Sequence, residues 1–233
     1  MIHPTYTTIL QLMEESFANN KEPFIVDYGC GSGYLLEILK DKKFIYYGYD
    51  INAESIKQAT VKYKNKDAHF VLINKKKPIT IKQQADIVVL IGVLQYMSKL
   101  ERGQLFLELK ERLKPDGTLI FSCASDHFVY RVMNITGIVL PNQYIQRKQI
   151  IRELQDINFR IIAGFEKGLF LTPLFSQIMI CFDLFDKILF HTRGELGPIG
   201  TIARSALNTV LQLEYRLNFD YGYTLFIKAK HSN

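Results

Sequence analysis

Apolar residues recur with two different periods along the first half of the chain, and the two alternate. Ile9, Leu10, Leu12, Met13 and Phe17 fall at helical spacing. Phe24-Ile25-Val26-Asp27-Tyr28 is a short apolar run that stops at glycines, the mark of a buried strand. Tyr34 to Leu39 reads as a helix, Lys43 to Tyr49 as a strand ending at Asp50, and Asn52 as the cap of a helix to about Lys64. His69 to Ile73 predicts a third strand. Asp86 to Ile91 predicts a fourth, almost wholly aliphatic, as a strand covered on both faces should be. Ser98 and Glu101 have capping-box spacing ahead of a helix to about Leu113. Pro115-Asp116-Gly117 predicts a turn and Thr118 to Ser122 a fifth strand. Strict alternation of strand and helix predicts a doubly wound α/β fold with right-handed crossovers.

The second half is less regular. Arg147 to Asn158 has helical periodicity and leads into a strand at Phe159 to Ala163. From Thr172 to Phe190 the pattern is amphipathic. Leu174, Phe175, Ile178, Cys181, Phe182, Phe185, Ile188 and Leu189 share one helical face, with Ser176, Asp183 and Lys187 opposite. Gly194, Gly197, Pro198 and Gly200 predict a loop, and Ile202, Ala203, Ala206, Val210 and Leu213 another helix. Gly222 to Lys230 alternates as a closing strand, antiparallel to the one before it. The expected architecture is therefore a mostly parallel seven-stranded sheet with an antiparallel last strand. It forms one domain over residues 1–233, with 165–217 as a helical insertion.

Composition narrows the class. The 233 residues are 48% hydrophobic and 22% charged, an ordinary globular balance for one large core. The net charge of +6 and pI of about 9.1 suit an anionic partner, although the charge is scattered and Lys75-Lys76-Lys77 is the one dense run. Cys30, Cys123 and Cys181 lack CxxC spacing and the histidines form no ligand pair, so neither a disulfide framework nor a metal site is expected. A reducing compartment follows. No signal peptide is evident, and Gln177, Asp183, Asp186 and Lys187 interrupt the longest apolar stretch, which argues against a membrane span. The expected location is the cytoplasm, with room for peripheral membrane contact.

The informative segment is Val26-Asp27-Tyr28-Gly29-Cys30-Gly31-Ser32-Gly33-Tyr34. Glycines between a buried strand and a helix let the backbone approach a ligand closely. A dinucleotide fingerprint would want a small residue where Tyr34 stands. The pattern is D-x-G-x-G-x-G instead, and it resembles motif I of class I S-adenosylmethionine-dependent methyltransferases. Asp86 to Tyr96 is similar to that family's fourth strand and following loop, and Leu113 to Leu119 to its approach to the fifth strand. The resemblance covers roughly residues 20–125. It implies a Rossmann-like fold with S-adenosylmethionine as cofactor.

The same resemblance assigns roles. The acid at Asp27 would help hold the cofactor's amino group, and the backbone from Tyr28 through Gly29, Gly31 and Gly33 would abut it. Asp50, a carboxylate able to accept two hydroxyl bonds, would take the ribose. Ile51 would pack on the adenine, and Asn74 stands where many members carry Asp for the adenine amino group. Ile91 and Gln95 complete the expected cofactor set.

No signature names the methyl acceptor. The loop after the fourth strand is not N/D-P-P-Y, and Cys123 lacks the Pro-Cys setting of cytosine C5 enzymes, which points to an inert buried thiol. His127, after the fifth strand, is the candidate catalytic base because histidine titrates near neutrality, with Tyr130 and Arg131 as candidate orienting groups. The apolar insertion before a last strand reading G-Y-T-L-F-I-K-A is loosely similar to cell-envelope or polysaccharide-type methyltransferases. A small-molecule or lipid- or saccharide-linked acceptor is expected. The alternatives are an RNA methyltransferase, for which a clustered basic and aromatic face is lacking, and a non-catalytic cofactor-binding protein.

Overall fold

The computed structural model describes residues 3–64, 67–74, 83–126, 144–168, 198–217 and 220–231. Seven strands, β1 (Phe24–Tyr28), β2 (Ile45–Asp50), β3 (Ala68–Leu72), β4 (Ala85–Ile91), β5 (Leu113–Ala124), β6 (Phe159–Lys167) and β7 (Thr224–His231), form one sheet in the order β3-β2-β1-β4-β5-β7-β6. β1 pairs in parallel with β2 and β4, β2 with β3, and β4 with β5. β7 runs antiparallel to both β5 and β6. This is the mostly parallel, doubly wound sheet that the alternating periodicities predict.

The helices are α1 (Pro4–Asn19), α2 (Leu35–Ile38), α3 (Ala53–Lys62), α4 (Lys99–Arg112), α5 (Arg147–Gln155) and α6 (Pro198–Arg216), with a turn of 3-10 helix at Leu94–Tyr96. Their starts follow from local chemistry. Asn52 accepts from the backbone N–H groups of Glu54 and Ser55, and Ser98 and Glu101 close a reciprocal capping box on α4.

Period-two alternation along the strands feeds a core on each face of the sheet. Val26, Val88, Leu90, Leu119 and Phe121 pack with Phe106 of α4 and Leu154 of α5. Ile25, Ile87, Val89, Ile120 and Phe226 pack with Ile9 and Met13 of α1 and Leu35 of α2. Each fully buried side chain of this kind contributes about 1.5–3 kcal/mol. One ion pair lies inside the first core. Arg102, 3% exposed, donates to Glu153 at 3.1 and 3.3 Å and to the Met97 carbonyl at 3.1 Å. It ties α5 to α4 and holds the loop after β4. Removing one partner of such a pair leaves a buried charge, at about 3–5 kcal/mol.

Three of the boundaries that differ from expectation have a clear physical reason. Pro115-Asp116-Gly117 does not interrupt β5 but lies within it, with Asp116 at φ 63° and a register shift opposite Ala85 and Ile87, so the turn becomes a bulge. β6 continues to Lys167 because β7 is long enough to pair it out to Thr224, so the insertion begins after Lys167 rather than at Phe165. Pro198 and Gly200 belong to α6, not to a loop, since a proline's fixed φ and missing N–H suit a first helical turn. The amphipathic stretch Thr172–Phe190 and Lys75–Lys77 lie outside the described residues.

Candidate active site

The glycine loop leaves β1 and is bonded at once to the end of β2. Gly29 and Cys30 both donate to the Tyr49 carbonyl, at 2.7 and 3.1 Å, and the Gly31 N–H donates to Asp50 Oδ2 at 2.8 Å. Asp50 Oδ1 accepts from the Asn52 N–H at 2.8 Å. The motif and the acid that follows it by some twenty residues are therefore one unit. Each carboxylate oxygen retains a lone pair for a further donor.

Gly29, Gly31 and Gly33 all have positive φ, at 80°, 53° and 83°, so side chains there are strained regardless of space. Space separates them. A Cβ on Gly29 would lie 2.3 Å from Val93 Cγ2 and one on Gly33 2.6 Å from the Tyr63 ring, whereas one on Gly31 would meet nothing within 4 Å. The loop packs tightly at both ends and stands open at its middle.

A cavity of about 460 Å³ opens at the carboxyl ends of β1–β4, lined by Tyr28, Gly29, Asp50, Ile51, Ile73, Asn74, Ile91 and Gly92 on the sheet side. Six of the expected cofactor residues thus come together there: Tyr28, Gly29, Asp50, Ile51, Asn74 and Ile91. Ile51 is 61% exposed, an apolar side chain lying open at the mouth, where a flat base can cover it. The opposite wall was not foreseen. It consists of Val93, Tyr96 and Met97 with Glu101, Gln104, Leu105 and Glu108 of α4. The signal was present, because the four α4 residues sit at i, i+3, i+4 and i+7 and so share one helical face. Burial, together with the charges of Glu108 and Asp50, raises the Tyr28 phenol above its ordinary pKa.

Asp27, Gly31, Gly33 and Gln95 are not among the lining residues. Asp27 alternates to the other face of β1. It is 2% exposed and its Oδ2 accepts from the Tyr46 hydroxyl at 2.7 Å. Burial pushes its carboxyl up to about 7, opposed by the Tyr46 bond and reinforced by the nearby Asp50 charge. The Tyr46 partner was missed from sequence. Gln95, beside the cavity wall, keeps Oε1 buried with no hydrogen-bond partner, an acceptor awaiting a donor. Cys123 is buried and its thiol is pushed up to about 12 by desolvation, which makes it the inert thiol expected. His127, Tyr130 and Arg131 lie outside the described residues.

The open middle of the loop, the exposed Ile51, the orphaned Gln95 oxygen and the free lone pairs of Asp50 suit a polar, flat-ended ligand on the scale of S-adenosylmethionine. Fold and loop chemistry define a nucleoside-binding α/β enzyme. Residues 3–163 match the family profile described as a methyltransferase domain, so the chain belongs to that family. With the D-x-G-x-G-x-G loop it is a class I S-adenosylmethionine-dependent methyltransferase. No curated protein sequence matches the chain.

Solved structures share the fold at low identity. Magnesium protoporphyrin IX methyltransferase from Synechocystis PCC 6803 with bound SAH is 16% identical (TM-score 0.61, covering 98% of this chain and 83% of that one). The N-methyltransferase NodS from Bradyrhizobium japonicum WM9 is 12% identical (TM-score 0.59, covering 99% and 96%). An S-adenosylmethionine-dependent methyltransferase from Mesorhizobium loti is 15% identical (TM-score 0.61, covering 97% and 96%).

Proposed function

We propose that the enzyme methylates a small apolar or a lipid- or saccharide-linked acceptor, in the cytoplasm and close to a membrane surface. One observation carries this reading: the insertion leaves and rejoins the sheet at the cofactor edge. β6 ends at Lys167 and β7 begins at Thr224, which pairs with Ala124 at the carboxyl end of β5. That edge also holds the cavity, so the strongly apolar residues between Lys167 and Thr224 are attached at its rim.

The cofactor supplies an activated methyl carbon on sulfonium. When bound, it would offer that carbon to an acceptor atom held in line with the carbon–sulfur bond. This chain's contribution is positional. Asp50 would hold the ribose, with Ile51 and Asn74 at the base. The Gly29–Gly33 backbone would let the cofactor lie close, and Asp27 would take its amino group once ionised. Gln95 Oε1 would accept from a donor at the end of β4. His127 would take the proton from an oxygen or nitrogen acceptor.

Transfer from radiolabelled S-adenosylmethionine into a fractionated cell extract tests the reading. Label in the organic-soluble or small-molecule fraction is expected. Label confined to RNA would favour the alternative acceptor that the basic pI suggests, and label confined to protein would overturn both.

A further inference from the structure

α6 is apolar on two opposite sides. Its inner side is fixed to the body of the enzyme: Leu211 and Tyr215 are 1% and 5% exposed, and Asn208 is buried with them. The Tyr215 hydroxyl lies 3.3 Å from Thr5 Oγ1 of α1 and donates to Thr224 Oγ1 of β7 at 3.1 Å, and Lys167 Nζ donates to the Tyr215 carbonyl. The helix cannot rotate its outer side inward without breaking these bonds. That outer side carries Ile202, Val210, Leu213 and Leu217 at 72%, 43%, 58% and 54% exposure. With the exposed Ala206 they are spaced by four, four, three and four residues, a single stripe along the helix. Apolar side chains scattered singly on a surface are ordinary, but a continuous stripe marks a contact.

Charge says what kind of contact. Glu214 is the one acidic residue of α6, and it is 9% exposed. The outer side is therefore free of carboxylates. Its polar members are Thr201, Ser205, Thr209 and the exposed Arg216. The chain as a whole carries +6. A second copy would bring like net charge against this face, whereas an anionic bilayer attracts it and receives the apolar stripe between its headgroups. Among the described residues no helix is long and apolar enough to cross a membrane.

We infer that the outer stripe of α6 docks the enzyme on an anionic lipid surface. α6 precedes β7, which starts at the cofactor edge of the sheet, so the C-terminal end of the helix leads to that edge. The inference extends the apolar-acceptor reading, and the experiment separates the two.

The full chain, without cofactor or acceptor, is sedimented with vesicles of phosphatidylcholine and of phosphatidylcholine mixed with phosphatidylglycerol. Binding to the anionic vesicles is expected, falling as salt rises. The double variant Leu213→Asp/Leu217→Asp should lose about a hundredfold in vesicle affinity, since each apolar group barred from the interface forfeits about tenfold. Arg216→Glu should weaken binding to anionic vesicles only. Leu107→Asp, an exposed leucine on α4, should change neither. SAH binding of every variant reports folding. Absence of anionic-vesicle binding, equal binding by the α6 variants, or a wild-type dimer that the double variant converts to monomer would each overturn the inference. Vesicle binding with label confined to a non-lipid polymer would sink the acceptor reading alone. Labelled lipid without vesicle binding would sink the docking alone.

Discussion

Replacing Asp27 by Asn should stabilise the cofactor-free enzyme, and increasingly so as pH rises. The carboxyl is 2% exposed and burial raises it from 3.8 to about 7. Between those values the native state holds a proton that the unfolded chain has lost, so stability falls as pH rises through the window. A shift of about three units corresponds to about 4 kcal/mol at full ionisation. Most of the lower part has accrued by pH 5, which leaves about 2–3 kcal/mol to appear between pH 5 and pH 8. Asparagine keeps the shape and can still accept from Tyr46, but it has no charge to desolvate. Urea unfolding of both proteins at pH 5, 6, 7 and 8 gives the difference directly, and it should widen by that amount. Other titrations cancel in the difference. Glu15, lowered to about 2 chiefly by its bonds to Lys228 and Lys230, and Asp220, lowered by its bonds to Arg147 and the Glu166 N–H against the opposing cost of burial, act below pH 5 and act alike in both proteins. A flat difference, or an Asp27→Asn protein that loses ground with rising pH, would refute the reasoning.

The same carboxyl should couple cofactor binding to protons: at pH 6, calorimetry of SAH binding in two buffers of different ionisation enthalpy should show release of up to one proton, absent in Asp27→Asn. Asp50→Ala should weaken SAH binding by about 2–4 kcal/mol, because bonds to a charged acceptor contribute about 1.5–3 kcal/mol each and are not additive; an unchanged dissociation constant in a folded variant would remove Asp50 from the site. Gly29→Ala and Gly31→Ala should separate in thermal melts. Both incur the left-handed penalty of about 1–2 kcal/mol, but only Gly29→Ala collides with Val93, adding about 1–3 kcal/mol of overpacking. His127→Ala should slow methyl transfer by about 10²–10⁴-fold with SAH affinity unchanged; a wild-type rate would assign the proton to another base or to water.

The cofactor side of the molecule was readable because its signals are short-range. A glycine loop between strand and helix, an acid at the end of the next strand and a capping box are each decided within a few residues, and β1, β2, α3 and α4 appear where those signals place them. What escaped depends on register or on pairing partners. The Asp27–Tyr46 bond arises because parallel pairing sets Asp27 opposite Gly48, two residues beyond Tyr46 on the same face of β2. Nothing near either residue announces it. The extra length of β6 depends on β7, more than fifty residues away. The face of α4 that walls the cavity had the right period, but the same spacing serves core packing, and only the position of β1 beneath it makes the face a site.

Asp27 and its neighbours also show why the site is arranged as it is. A buried carboxylate is a poor choice for a stable protein, since asparagine would remove the penalty and keep the shape. Its presence makes sense if a cation later arrives to offset the desolvation. The cofactor carries an ammonium group that fits that need, and Tyr46, held in the core at 0% exposure, keeps the carboxyl in one orientation until then. If that ammonium pairs with Asp27, free and bound enzyme would differ in the charge of this one residue below about pH 7. The energy that makes the free form less stable as its carboxyl ionises would then be the energy that an arriving ammonium recovers. On this argument the stability gain of Asp27→Asn and its loss of cofactor affinity are two readings of one quantity. A variant that showed the first without the second would mean that Asp27 serves the fold alone.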